Sequence, residues 1–233
     1  MKHVLTSNSK PQRGLLGPVP TDLFLWRGEF RYDRVLKRGV DLAFCLMVLP
    51  FFVPIVLLLA VVVRRDGGPV FFGHERVGRN GIPFKCLKIR SMVPDAKARL
   101  EALLEADPEA AVQWKAERKL DNDPRITPFG HFLRKSSLDE LPQLLNILRG
   151  EMSLVGPRPV PQDELDENYG VQKRVYQAMR PGLTGLWQVS GRNDVSYAER
   201  VQMDVDYFKT MSLRRDLSIL LRTALAVVKR TGK

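Results

Sequence analysis

Between Leu42 and Val63 the chain runs for 22 residues without an Asp, Glu, Lys or Arg. A continuous helix of that composition is long enough to cross a hydrocarbon core of ~30 Å, so this stretch decides between membrane and soluble architectures. Pro50 and Pro54 stand in its middle. Each removes a backbone donor and crowds the preceding turn, which predicts a kink or a break. The arms on either side, Leu42 to Leu49 and Ile55 to Val63, would each rise roughly 12 to 14 Å as helix, about half of the core. Arg34, Lys37 and Arg38 precede the run, and Arg64 and Arg65 follow it. Cations favour the cytosolic side. A re-entrant helical hairpin broken at Pro50 and Pro54 keeps both flanks there, whereas a single span strands one of them. The expectation is a monotopic, re-entrant segment over residues 32–65, with a proline-kinked span and a buried soluble helix as the alternatives. A cleaved secretion signal fits poorly, because the run lacks a small-residue cleavage pattern with a secreted body behind it.

A chain of 233 residues accommodates one substantial domain besides this segment. Pro11, Gly14, Gly17 and Pro18 mark residues 1–31 as a flexible tail. Residues 66–233 then form a single cytosolic-face domain. Cys45 and Cys86 are the two cysteines, too few for a disulfide framework or a cysteine metal cluster. His3, His74 and His131 show no zinc-ligand spacing. The net charge of +11 favours an anionic partner: nucleic acid, phospholipid or a phosphorylated substrate. The aromatics do not alternate with Lys and Arg as a nucleic-acid stacking surface would, so no nucleic-acid partner is expected.

The domain reads as α+β and mostly helical. Arg79-Asn80-Gly81 separates apolar runs at Val70–Val77 and Pro83–Met92, a strong hairpin signal. Alternation in the second strand places Phe84, Cys86, Lys88 and Arg90 on one face, with Lys85, Leu87 and Ile89 on the other. Cations on a partly apolar face need an anion or water, and a solvated edge strand is the simpler reading. Asp107-Pro108 opens a helix to about Leu120, and Ser196 to Glu199 forms a capping box. From Ser212 a last helix carries Arg214, Arg215, Arg222, Lys229 and Arg230 among leucines and valines. It suits an interfacial amphipathic helix at lipid headgroups, or a domain helix facing water.

Ser136 to Leu141, SSLDEL, poses the functional question. Ser137 to Glu140 fits a capping box ahead of Leu141, Leu144, Leu145 and Leu148 at helical spacing. The same placement could serve chemistry, because a helix N-terminus would lower the pKa of Asp139 and hold it as an ionised nucleophile. Taken alone the hexamer favours the cap. Its company points the other way: Arg134 upstream, Arg158 within Gly156-Pro157-Arg158-Pro159, then Arg180-Pro181-Gly182-Leu183-Thr184-Gly185 running into LWQVSGRN. Glycines allow close backbone approach and arginines offer paired donors to phosphate, although each Gly-Pro cluster singly is only a tight turn.

In this order KRGVD, FKCLKIRSM, RKSSLDELPQL, SLVGPRP and RPGLTGLWQVSGRN resemble the bacterial sugar transferase family, the monotopic polyprenyl-phosphate phosphoglycosyl transferases, from about Tyr32 to Arg230. The resemblance implies transfer of a sugar 1-phosphate, galactose or glucose, from a UDP-sugar to undecaprenyl phosphate with release of UMP. It implies Asp139 as the nucleophile that becomes a covalent phosphosugar and as a contact for Mg²⁺. Glu140 would orient or deprotonate the incoming lipid phosphate. Lys88 and Asp204 match further polar positions of the family's site, and Arg134 and Arg158 match phosphate-holding arginines. The same motifs add Arg90, Arg180, Gln188, Arg192 and Asn193 to the substrate set. The implied setting is the cytosolic face of the bacterial inner membrane, in the first membrane step of exopolysaccharide or other surface glycan synthesis. A homodimer is compatible with it. Where the family's membrane helix breaks at Ser-Pro, this chain has Val53-Pro54, with no hydroxyl for the freed backbone. Longer members carry membrane helices ahead of this unit for which the chain has no room, so the expectation is the catalytic unit alone. A rival from another class is a non-enzymatic, membrane-tethered basic binding protein, in which Asp139 would be dispensable. A glycosidase pair is disfavoured, because such acids face each other about 5 to 9.5 Å apart across the scissile bond.

Overall fold

The computed structural model describes residues 32–117, 120–190 and 195–228, so the tail, Arg192 and Asn193 lie outside the described residues. After a π-helical turn at Tyr32–Leu36, helix α1 runs without interruption over Lys37–Val63, with Pro50 and Pro54 inside it. The expected break in the helix is absent: one continuous helix forms, with both prolines inside it. The prolines are four residues apart and both exposed, so the lost donors fall on one side, and the ladder on the packed side is kept.

That packed side carries Lys37, Asp41, Cys45, Phe52, Val56, Leu59 and Val63. Their spacing draws a stripe along the whole helix. Cys45, Phe52 and Val56 share a core with Phe84, Cys86, Leu144, Ile147, Leu154 and Val205. Leu59 and Val63 join Ile89 and Leu133. The opposite face leaves Leu46, Met47, Phe51, Leu57, Leu58 and Val61 each 62% exposed or more. A contiguous apolar face of that extent marks an interaction surface.

KRGVD locks the start of α1 into the domain. Lys37 Nζ donates to Asp216 Oδ2 at 2.5 Å and to the Tyr207 hydroxyl at 3.1 Å. Arg38 donates to the carbonyls of Ile147 and Leu148, while Asp41 Oδ1 accepts from Ser153 Oγ and the Leu154 amide. Lys37 was expected among the headgroup cations. It is instead buried, because a carboxylate and a phenol compensate its charge inside the domain.

Strand β1 (Phe71–Val77) pairs antiparallel with β2 (Pro83–Ile89). Asn80 and Gly81 take the positive φ angles, 60° and 77°, that the turn requires. Helices α2 (Ala96–Ala106) and α3 (Pro108–Glu117) follow; Asp107 Oδ1 accepts the amides of Glu109 and Ala110, the expected cap. Then come α4 (Pro128–Lys135), α5 (Gln143–Arg149), β3 (Ser153–Val155), α6 (Gln162–Asn168), α7 (Lys173–Ala178), β4 (Gly182–Thr184) and α8 (Leu186–Ser190). Helix α9 (Tyr197–Thr210) starts on the expected Ser196–Glu199 capping box, and α10 is Leu213–Val228. Strands β3 and β4 are parallel, and the backbones at their ends nearly touch. A Cβ at Gly156 would lie 2.3 Å from the Arg180 carbonyl oxygen, and one at Gly182 would lie 2.1 Å from the Gly156 nitrogen. The two Gly-Pro clusters are thus halves of one contact. On α10, Asp216 and Ile219 face inward, whereas Leu217, Leu221 and Leu225 form an exposed apolar row.

Candidate functional site

The acid pair stands on a sharp local turn. Ser137 adopts left-handed backbone at φ 57°, and Leu138–Glu140 forms a single 3₁₀ turn before α5 begins at Gln143. The expected capping box does not form, since Ser137 makes no side-chain cap. Pro142 has no amide to donate, and the regular helix starts only after it. The turn directs Asp139 inward, 7% exposed, while Glu140 stays half-buried beside it.

Lys88, reaching from β2, donates to Glu140 Oε1 at 2.7 Å and stands 3.9 Å from Asp139 Oδ2. Arg134, at the end of α4, donates from Nε to Ser91 Oγ at 2.9 Å, and its charge is felt at Asp139. Burial pushes the Asp139 carboxyl up to about 6; Lys88 and Arg134 oppose the rise and Glu140 adds to it. The expected lowering by a helix N-terminus is overturned, because desolvation outweighs the neighbouring cations and no regular helix starts at that carboxyl. At pH 7 most of the population is still ionised.

A second group lies farther along the same hairpin. The Val77 amide donates to the Val160 carbonyl at 3.0 Å, which fastens the end of β1 to the loop carrying Arg158. Arg158 is exposed and sits 6.0 Å from the Trp187 ring, whose centroid is also 4.7 Å from the Arg200 guanidinium. Sequence reasoning passed over Arg76. The hairpin register was the available signal, since Arg76 pairs with Phe84 and therefore shares a face with Cys86 and Lys88. Burial pushes the Cys86 thiol up to about 11, and the charges of Lys88, Arg76, Glu140 and Arg158 bear on it to a lesser degree.

Other expected residues stand elsewhere. Arg90 spends all five N–H donors on the protein: on the Pro69, Met92 and Val63 carbonyls and on both Asp66 oxygens. Its assignment as a phosphate ligand is therefore corrected to a clamp on the end of α1. Arg180 Nε donates to the Gly150 carbonyl, tying β4 to the end of α5. Asp204 is buried behind the Arg158 loop, where Tyr169 donates to its Oδ2 at 2.8 Å and burial raises its carboxyl to about 7. Gln188 lies beside Gly185, whose Cβ would meet its Oε1 at 3.0 Å.

Among the described residues no group of three or more His, Cys, Asp or Glu could hold a metal by itself. Two adjacent carboxylates do suit Mg²⁺, which takes one or two protein carboxylates and completes its shell with phosphates and water. A buried, mostly ionised carboxylate beside Lys88 and within the field of Arg134 can attack an electrophile that itself carries negative charge.

The chain is 55% identical over 200 residues to a UDP-galactose-lipid carrier transferase of Erwinia amylovora, covering 86% of this chain but 42% of that protein. It is 53% identical over 197 residues to the exopolysaccharide production protein ExoY of Rhizobium meliloti, covering 84% and 87% respectively. A UDP-glucose:undecaprenyl-phosphate glucose-1-phosphate transferase of Caulobacter vibrioides is 41% identical, with 80% and 67% covered. The chain spans less than half the length of the first of these. The bacterial sugar transferase family model matches residues 32–230. Over nearly all of its described residues, this chain belongs to the bacterial sugar transferase family.

Proposed function

We propose that the chain transfers a hexose 1-phosphate, galactose or glucose, from a UDP-sugar to undecaprenyl phosphate for surface glycan synthesis. The observation that carries the reading is Asp139, a buried carboxylate at a turn, held between Arg134 and the Lys88–Glu140 pair. An Asp139 oxygen bonds to the sugar-bearing phosphorus, and the bond from that phosphorus to the bridging oxygen breaks. UMP leaves with the bridging oxygen. An oxygen of the lipid phosphate then attacks the same phosphorus, displaces Asp139, and yields the lipid diphosphate sugar. Burial strips water from the attacking carboxylate, while the cations offset repulsion between it and the diphosphate. Glu140, held by Lys88, is positioned to take any proton the lipid phosphate still carries. Asp139 would contact Mg²⁺, which supplies further neutralisation of the diphosphate when bound. One covalent intermediate lets a single pocket serve a water-borne donor and a lipid acceptor in turn.

The membrane arrangement belongs to the same proposal. Helix α1 packs on the domain from Cys45 to Val63, which supports a helix that meets the membrane together with that domain. Its exposed face and the Leu217–Leu221–Leu225 row of α10 are the surfaces we assign to lipid, on the cytosolic face of the inner membrane. Incubating detergent-solubilised protein with a panel of UDP-sugars and Mg²⁺ and recording intact mass tests the chemistry. A hexose-phosphate increment discharged by undecaprenyl phosphate is expected. No increment with any donor under turnover conditions would remove the proposal, and a silent Asp139→Asn in cells would favour the binding-protein rival.

A further inference from the structure

Phe72 is an exposed ring on the strand that lies beside the acid pair. The hairpin register pairs it with Lys88, so the two side chains rise on the same face with their Cβ atoms about 5 Å apart. Lys88 reaches on from there to Glu140 at 2.7 Å and stands 3.9 Å from Asp139. Phe72 is nevertheless 54% exposed, with the His74 ring tilted against it at 6.1 Å. A phenyl ring left half in water next to a lysine adds little to the fold, and its apolar surface is free for something else to cover.

The same ring stands close to the surface assigned to lipid. Arg90 ties the approach to β1 onto the end of α1: its side chain donates to the Val63 and Pro69 carbonyls, and its amide donates to the Val70 carbonyl. Leu58 and Val61, just before Val63, belong to the exposed apolar face of that helix. Phe71 is 49% exposed and pairs with Ile89, which packs with Leu59 and Val63. Successive strand residues point to opposite faces, so Phe71 shares the Ile89 face and Phe72 the Lys88 face. Apolar surface thus continues from the end of α1, across two neighbouring rings, to the lysine beside the reacting carboxylate.

The chemistry of the two substrates selects the occupant. The acceptor's phosphate must reach the phosphorus carried by Asp139, and the hydrocarbon behind it would lie in water unless apolar surface lines the way. Its first isoprene unit is attached directly to the attacking phosphate. On the donor, the hexose is hydroxylated, and the uracil is separated from the attacked phosphorus by a second phosphate and a ribose. We infer that Phe72 is the platform for the first isoprene units of the lipid acceptor, with Phe71 on the path from the bilayer. The inference rests on the transferase reading.

Phe72→Ser and Phe72→Leu, made in the whole chain in detergent, are compared with the parent for the rate of adduct formation from the UDP-sugar, the KM for undecaprenyl phosphate in its discharge, and the melting temperature. Phe72→Ser is expected to form the adduct within about two-fold of the parent's rate, to raise the acceptor KM about ten-fold, and to melt no lower than the parent. Phe72→Leu should bring the acceptor KM back to within about three-fold, since a branched aliphatic side chain still offers apolar surface. An unchanged acceptor KM in Phe72→Ser, with a parent that forms and discharges the adduct, would overturn this inference alone and leave the ring as an anchor in bulk lipid. Adduct formation slowed as much as discharge would move the ring to the donor and overturn it, and a lower melting temperature with both steps impaired would assign it to the scaffold and overturn it too. A parent that forms no adduct with any UDP-sugar would remove the transferase reading itself.

Discussion

Lys88 bonds Glu140 at 2.7 Å and leaves Asp139 3.9 Å away, so the lysine is committed to the second acid and touches the first only through its field. Lys88 thereby favours the ionised form of Asp139 without a direct hydrogen bond that an attack would have to break. Its carboxyl titrates at about 6, so adduct formation should fall as pH drops through that value. Lys88→Met removes the largest influence holding the value down and should move the acid limb of the rate profile to higher pH. Rates of adduct appearance by mass spectrometry across pH 5 to 9 check this; an unmoved limb would contradict it.

Asp139→Asn should abolish the adduct and also stabilise the protein. The folded value of about 6 lies above that of an unfolded aspartate, so ionisation on raising the pH favours the unfolded chain. The cost is absent below about pH 4 and complete above about pH 6, on the order of 3 kcal/mol. Melting of parent and variant should therefore differ at pH 8 and converge toward pH 4.

Removing Arg90 should act on stability. Arg90→Ala leaves three carbonyls and Asp66 without their donor at the end of α1, a loss of about 3 kcal/mol. UMP affinity, measured below the lowered melting point, should change less than about two-fold. A selective loss of nucleotide binding would return Arg90 to the phosphate site.

Gly182→Ala should prevent normal packing of β3 on β4, because the added carbon meets backbone at 2.1 Å, where no side chain can yield. Gly39→Ala is the control: nothing lies within 4 Å of its added carbon, and in a helix it should be neutral or stabilising by up to about 1 kcal/mol. Expression and melting temperature of the two variants should diverge sharply.

Much of this was legible in the residues. Asn80-Gly81, Asp107-Pro108 and Ser196–Glu199 are local signals whose partners lie within a few residues, and each appears where expected. Longer-range compensation was not legible. Lys37 looks like a headgroup cation until Asp216, far along the chain, is seen beneath it. Arg90 alternates with Lys88 on paper, yet Asp66 and the end of α1 consume it. Asp139 was expected to acidify at a helix start, but the chain turns at Ser137 and buries the carboxyl, and desolvation is a property of the surroundings that no hexamer carries. Arg76 needed the hairpin register and the Val77–Val160 seam to become visible.

Because Cys45, Phe52 and Val56 form one wall of the domain's interior, the apolar helix is no detachable leash. Trimming it to obtain a water-soluble fragment would open the protein's centre and loosen β2, the strand that presents Lys88. A change at the outer face of α1 therefore reaches Lys88 and the Asp139 turn through packed side chains.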